Sequence, residues 1–344
     1  MTGAGLFRSG WWVLVAAGLV SIIVTVSMLR ASFGSKIVDP DDPISLDPCL
    51  VDRDELIQAM ARDGLKALNA PLTMTPDEVR ARNENERGKL LVSTDQVIGV
   101  VIGDEARAYP LRLLRWHESV NDVVGGRAIA VTYSPLSGGI AVWDRLVDGH
   151  EISFAISGRI HNSNTLLYDR RDDRQASSLW HQLTGEAIAG PASGNRLTPL
   201  PAELQTWTEW TRNHPNTTVM APDPDSKRLY KRDPYHSYRG SDMLRFPVEP
   251  LPPKGVLGYK DIVAIVTTDD DDHAFALFDL AEAVGAPQGR WAALLNEEVY
   301  LTSFDAEAGT FSVEPRDEGI PRPAVRFAYW FQWWSLHPGT VPLP

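Results

Sequence analysis

The side chains best suited to chemistry fall in three polar clusters set between apolar runs. In Trp116-His117-Glu118-Ser119-Val120-Asn121-Asp122 an imidazole stands among carboxylates. If this segment ends a short helix, i, i+4 spacing puts His117 beside Asn121 and Glu118 beside Asp122. His117 is then the candidate general base, with Glu118 or Asp122 orienting it, and His117 with Glu118 is the candidate ligand pair for a divalent metal. The competing reading is a capped helix end with a satisfied, partly buried His, since a zinc site needs three or four ligands.

In the second cluster, Tyr133-Ser134-Pro135-Leu136-Ser137-Gly138-Gly139, glycines let the backbone turn sharply or approach a ligand closely. Ser137 is a candidate nucleophile outside the G-x-S-x-G elbow, because Pro135 stands where the first glycine belongs. A tight turn with two surface serines is the alternative. The third cluster is the densest: Ser157 to Asn164, then Tyr168-Asp169-Arg170 and Trp180-His181-Gln182. Asn and Ser often bond their own turn backbone. The remaining groups suit a pocket for an anionic or sugar ligand. The candidate ligand-binding set is therefore Tyr133, Ser134, Ser137, Arg159, Asn162, Ser163, Asp169, Arg170, Trp180 and Gln182.

These clusters need a scaffold, and the pattern around them alternates as strands do. Val97 to Ile102, Ala128 to Tyr133, Ile140 to Trp143 and Glu151 to Ile156 are β-branched or alternating runs separated by glycine-containing turns. Pro110 to Asn121 and Pro201 to Asn213 read as helices, the second carrying Leu204, Trp207 and Trp210. Asp52 with Glu55, and Thr75 with Glu78, mark two further helix starts. The expected fold is α+β and strand-rich, with largely antiparallel sheets and short helices.

A degenerate internal repeat is also expected. Trp207-x-x-Trp210-x-x-x-His214-Pro215-x-Thr217 recurs with the same spacing as Trp330-x-x-Trp333-x-x-x-His337-Pro338-x-Thr340. Val100, Asp104, Glu105, Ala108, Tyr109, Leu111 and Leu114 align without gaps on Val266, Asp270, Asp271, Ala274, Phe275, Leu277 and Leu280. The second copy lacks the polar middle, so chemistry is expected in the first. Asp269 to Asp272 is not a calcium loop, having no Gly at the sixth position and no Glu at the twelfth.

A formal net charge of -12 repels phosphate backbones, and no basic run offers an exception, so nucleic acid is excluded as a partner. Cys49 is the single cysteine, which precludes an intrachain disulfide. It lies too far beyond the apolar N-terminal run to serve as a lipid-modified cysteine. That run, Trp11 to Leu29, holds no charge and as a helix spans roughly 28 Å, about one hydrocarbon core. A transmembrane signal anchor over residues 11–29 follows, with a cleaved signal peptide as the alternative. The expected order is a short tail (1–10), the anchor (11–29), a linker (30–51), a first lobe with the polar site (52–220), a connecting segment (221–261) and a shorter second lobe (262–344). With so little chain ahead of the anchor, the body is expected on the extracytoplasmic, periplasmic or cell-surface side of a bacterial membrane.

The chain resembles an uncharacterised bacterial family, domain of unknown function 3179, over about residues 53–342. Its pattern of A-Y-P-L, W-H-E-x-V-N-D, T-Y-C-P-L-C/T-G, S-G-x-x-Y/H-N-S-x, Y-D-R, S-L-W-x-Q-x-x-G-x-A-x-x-G and W-x-x-W-x3-H-P-x-T is met at Ala108–Leu111, Trp116–Asp122, Thr132–Gly138, Ser157–Asn164, Tyr168–Arg170, Ser178–Gly190 and the Trp207 segment. Arg232-Asp233-Pro234-Tyr235 continues it. The resemblance carries no activity. Where the pattern has cysteine this chain has Ser134 and Ser137, so a thiolate role implied for relatives cannot run through thiols here. Three functions stay open: a small-ligand or metal-binding module, a hydrolase-type enzyme using His117, and a structural envelope protein.

Overall fold

The computed structural model describes residues 44–343, apart from 86–87, 174–175, 256 and 270. The anchor expected over residues 11–29 lies outside them. No helix among the described residues is long and apolar enough to cross a membrane.

The fold is strand-rich α+β, its sheets mostly antiparallel with a few parallel pairs, its helices short. One sheet has eight strands, in the order Gln288–Leu295, Glu298–Asp305, Thr310–Pro315, Glu203–Thr206, Gln96–Ile102, Glu105–Pro110, Thr218–Met220 and Thr73–Met74. A second has seven: Asp271–Ala276, Ile262–Thr268, Ala324–Tyr329, Gly139–Asp144, Arg127–Ser134, Ser119–Val124 and Leu68–Asn69. A third has five: Ile57–Gln58, Phe154–His161, Asn164–Asp169, Leu179–His181 and Ala187–Ala189.

Alternation along the strands decides how these layers pack. In Arg127–Ser134, Ile129, Val131 and Tyr133 join the main core with Ile98, Tyr109 and Phe311 of the eight-stranded sheet. Ala130 turns the other way and packs with Ala141 and Trp143 against Phe154, Ile156, Leu167 and Trp180 of the five-stranded sheet. The seven-stranded sheet is thus the middle layer. Small side chains on its second face let the five-stranded sheet approach, and truncating a buried Trp or Phe in such a layer costs about 3–5 kcal/mol.

Both large sheets draw strands from residues 52–220 and from 262–344. Leu204 pairs with Ile98 on one side and Phe311 on the other, and Phe327 pairs with Ile140. The two Trp-rich helices, Trp207–Asn213 and Trp330–Leu336, make matching contacts. The Trp210 indole donates to Thr217 Oγ1 at 2.8 Å, and the Trp333 indole to Thr340 Oγ1 at 3.0 Å. In each case the ring lies 4.0 Å, centroid to centroid, from the His four residues on.

Two helix expectations are corrected. The first helix covers only Leu111–Leu114, and Ser119–Val124 is a strand. Glu118 adopts a left-handed φ of +55°, which ends the helical path, and the buried Val120 then pairs with Val131. The second helix starts at Trp207, where Thr206 and Glu209 form a capping box, because Glu203–Thr206 is held as a strand between two partners. The strand expected over Glu151 to Ile156 divides into His150–Glu151, in a two-stranded ribbon, and Phe154–His161. Asp52 caps only a single 3-10 turn, while Thr75 caps the helix Pro76–Asn85 as expected.

Candidate functional site

His117 and Glu118 occupy the turn between helix and strand, so their partners are not their i+4 neighbours. His117 is 1% exposed and uses both ring nitrogens. Nδ1 lies 2.6 Å from the Lys66 carbonyl, which can only accept, so Nδ1 carries the proton. Nε2, 2.6 Å from the Tyr230 hydroxyl, then accepts from the phenol. Burial holds the His117 pKa below the ordinary 6.5, against the pull of the Lys66 carbonyl. Its lone pair is therefore committed, and a base role would require Tyr230 to leave.

Asp122 leaves the candidate centre altogether. It accepts from the Arg107 guanidinium at 2.7 Å and the Tyr109 hydroxyl at 2.8 Å, a buried structural ion pair. Asn121 clamps the Phe154 backbone, donating to its carbonyl at 2.8 Å and accepting from its amide at 2.9 Å.

Glu118 is the group the layers enclose. Its Oε2 accepts from Thr165 Oγ1 at 2.7 Å and its Oε1 from the Tyr235 hydroxyl at 3.2 Å. Burial raises its pKa from 4.5 to about 7, although both hydrogen bonds favour the ionised form. Thr165 continues the chain: its hydroxyl is 3.1 Å from Ser134 Oγ, which also accepts the Thr165 amide at 3.2 Å. With the Thr165 proton on Glu118, the Ser134 hydroxyl donates to Thr165. The result is a hydroxyl relay, Ser134 to Thr165 to Glu118.

A second branch lies beside it. Asn164 Nδ2 donates to Ser137 Oγ at 2.8 Å and to Gln182 Oε1 at 3.1 Å. The Gln182 amide nitrogen reaches Thr132 Oγ1 at 2.9 Å and the Gly139 carbonyl at 3.2 Å. Asn164 Oδ1 is sealed from solvent and has no partner among the described residues. Glycine is required at the turn. A Cβ on Gly139 would stand 2.4 Å from Gln182 Oε1, and one on Gly138, at φ +66°, would stand 2.7 Å from the Tyr329 ring.

Of the expected ligand set, Ser134, Ser137 and Gln182 share this network, and Tyr133 borders it, its amide donating to the Glu118 carbonyl at 2.9 Å. The others serve elsewhere. Arg159 Nε bonds Gln58 Oε1 at 3.0 Å. Trp180 is fully buried, edge-on to Phe154 in the core. Asp169 is buried and accepts from the Ser178 amide at 2.5 Å and Arg171 Nε at 2.7 Å, while Arg170 pairs with Asp63 at 3.1 Å. Asn162 and Ser163, both at positive φ in the hairpin turn, hold the segment after residue 220. Asn162 exchanges two bonds with the Glu249 backbone, at 3.0 and 3.1 Å, and Ser163 donates to the Phe246 carbonyl at 3.1 Å.

That segment forms a strap across the site, a role its sequence did not announce. Tyr230 bonds His117, Tyr235 bonds Glu118, and the Tyr238 hydroxyl donates to the Leu136 carbonyl at 2.7 Å. Lys260 fastens its far end by donating to the carbonyls of Tyr238, Ser241 and Met243. Three tyrosines at spacings of five and three were the available signal, and only Tyr235 stood in a noted motif. Among the described residues, no group of three or more His, Cys, Asp or Glu is placed to hold a metal ion.

No curated protein and no solved structure shows a significant match to the chain. Several of the segments that build the Glu118 network are also those that carried the family pattern. The family described as "Protein of unknown function (DUF3179)" matches residues 69–340, and the chain belongs to it.

Proposed function

We propose that the protein is a membrane-anchored, extracytoplasmic small-ligand-binding module whose recognition centre is the enclosed network of Glu118, Ser134, Ser137, Asn164, Thr165 and Gln182. One observation carries the reading. Side chains from four separate segments, each at most 5% exposed, are hydrogen-bonded into one polar centre that ends on the unpartnered Asn164 Oδ1. A layer interface that only had to pack would be apolar, because buried polar groups gain little when paired and cost about 1–3 kcal/mol when not. A hydroxyl or amide N–H of a small polar organic ligand supplies the donor Asn164 lacks, and the strap is the element that would move to admit it.

The reading is tested by titrating the full-length chain with panels of sugars, amino acids and dicarboxylates while amide resonances are followed. Thr165 and Gly139, whose N–H groups bond the Ser134 and Ser137 hydroxyls, are expected to shift with a ligand that binds, and Ser134→Ala to abolish the response. Perturbations confined to other surfaces would refute it.

A second reading, an enzyme, is favoured by the relay from Ser134 through Thr165 to Glu118, a carboxylate able to exchange a proton near neutral pH. On that reading Glu118 takes the base role first expected of His117.

The placement rests on the apolar run at residues 11–29. Protease added to intact spheroplasts is expected to digest the body, and full protection would overturn the placement. The same reading takes the chain as two copies of one unit. Its support is the two antiparallel strand pairs, Gln96–Ile102 with Glu105–Pro110 and Ile262–Thr268 with Asp271–Ala276, and the matching indole-to-threonine bonds of the two Trp helices.

A further inference from the structure

We propose that the ligand of the Glu118 centre is a neutral polyhydroxyl compound, a sugar or cyclitol, held by His161, Asn164, His181 and Gln332. This rests on reading the Glu118 network as a recognition centre. Five buried nitrogen and oxygen atoms of these four residues have no partner among the described residues: Asn164 Oδ1, His161 Nδ1, His181 Nε2 and both amide atoms of Gln332. Each residue is at most 8% exposed. A buried polar group left unpaired costs more than a paired one gains, so such a concentration calls for an occupant.

Three of the four residues meet at one hairpin. His161 and Asn164 are register partners across its turn. Such partners lie about 4.5–5.5 Å apart, within reach of one ligand. The His161 and His181 rings stand edge to face with 5.9 Å between centroids, and His181 precedes Gln182, whose Oε1 accepts from Asn164. Gln332 comes from the helix Trp330–Leu336. Its neighbour Phe331 packs with Leu136, the residue before Ser137, and Trp333 packs with Leu183, the residue after Gln182. At about 100° of helix per residue, Gln332 points between those contacts, toward the branch of Ser137, Asn164 and Gln182.

The bonds already made fix which atoms give and which accept. Glu55 accepts from His161 Nε2 at 3.2 Å, so the neutral ring presents a lone pair at Nδ1. The Thr184 amide donates to His181 Nδ1 at 3.3 Å, so His181 presents an N–H at Nε2. Burial, and then the nearby His161, lowers the His181 pKa to about 3, which keeps that ring uncharged. The open set is three acceptors, Asn164 Oδ1, His161 Nδ1 and Gln332 Oε1, and three N–H groups, one on His181 and two on Gln332.

Three hydroxyls, each donating once and accepting once, satisfy all six. A carboxylate brings no hydrogen and a primary carboxamide only two. None of the four residues is a Lys or Arg that would favour an anion. The Glu55 side chain is 57% exposed, so the His161 end of the set reaches solvent.

Full-length protein labelled with nitrogen-15 is titrated with D-glucose, myo-inositol, propionamide and succinate at about pH 8, where an ordinary imidazole is neutral. Saturable binding is expected with glucose or inositol alone, the side-chain amide resonances of Asn164 and Gln332 shifting together. Gln332→Met, which brings no group to pair, is expected to weaken it at least about tenfold. His181→Phe supplies a second variant should Gln332→Met fail to fold, and an unchanged unfolding midpoint qualifies each. Ser134→Ala separates this inference from the reading beneath it. Binding that Ser134→Ala abolishes but Gln332→Met and His181→Phe leave intact would overturn the polyol assignment and spare the centre. Polyol binding lost in Gln332→Met yet unchanged in Ser134→Ala would support the polyol assignment and overturn the Glu118 network as its centre. Saturation by propionamide or succinate in place of both polyols, or by none of the four, would overturn the proposal.

Discussion

Replacing Glu118 with glutamine removes a buried titratable group at nearly constant volume, and its consequence can be worked out from one equilibrium. Burial lifts the carboxyl from 4.5 to about 7, so between those values the folded protein keeps a proton that the unfolded chain releases. The resulting stabilisation is complete below the unfolded value and is lost as pH rises through the folded one. Integrated from pH 5 to pH 8, these two values give about 2.5 kcal/mol. Glutamine contributes no such dependence. The stability of the wild type minus that of Glu118→Gln should therefore fall by about 2.5 kcal/mol over this interval, or about 5 °C in melting midpoint for a chain of this size. Taking the difference removes contributions common to both proteins. His181 is one: burial, then the nearby His161, lowers its pKa to about 3, so its stabilisation is present above 6.5 and is lost as pH falls toward 3. Tryptophan fluorescence melts at half-unit steps from pH 5 to pH 8 supply the comparison. A wild-type-minus-variant difference that stays flat with pH would refute a buried, late-ionising Glu118.

Tyr235→Phe removes a donor that favours the ionised carboxylate, so the Glu118 titration, followed by its side-chain carbon shift, should move upward in pH. Asp122→Ala leaves the buried Tyr109 hydroxyl without its acceptor and Arg107 with Glu105 as its remaining carboxylate, and equilibrium denaturation should show a loss of about 1–3 kcal/mol while the Glu118 titration persists. Gly99→Ala sets a Cβ 2.1 Å from the buried Trp210 ring. Its melting midpoint should drop by an amount corresponding to about 1–3 kcal/mol.

The sequence carried the scaffold wherever one periodicity ruled. The runs at Val97, Ala128 and Ile140 are β-branched or alternating, and each forms a strand within a residue or so of its expected ends. Reading failed where two patterns overlapped. Leu111 and Leu114 start a helix, but the valines that follow belong to a strand, and only the unusual φ of Glu118 separates them. That one error misplaced the partners of His117 and Asp122. The polar clusters were visible by composition, yet their division was not, because alternate residues of Asn164–Asp169 leave for opposite faces and serve different layers. Thr165 passed unnoticed as an ordinary strand residue, and the strap was missed because its short turns carry no period. Contacts between residues such as Tyr235 and Glu118, more than a hundred positions apart, leave no local trace in the chain.

The exchange of strands between the early and late parts of the chain makes the protein hard to take apart. Each large sheet is divided once, where Glu203–Thr206 meets Thr310–Pro315 and where Gly139–Asp144 meets Ala324–Tyr329, so a single cut in the segment after residue 220 would leave two fragments, each with a newly bared strand edge in both sheets. Such a nicked molecule should migrate as one particle in native gels and come apart only on denaturation, and either fragment produced alone should be insoluble until its counterpart is supplied.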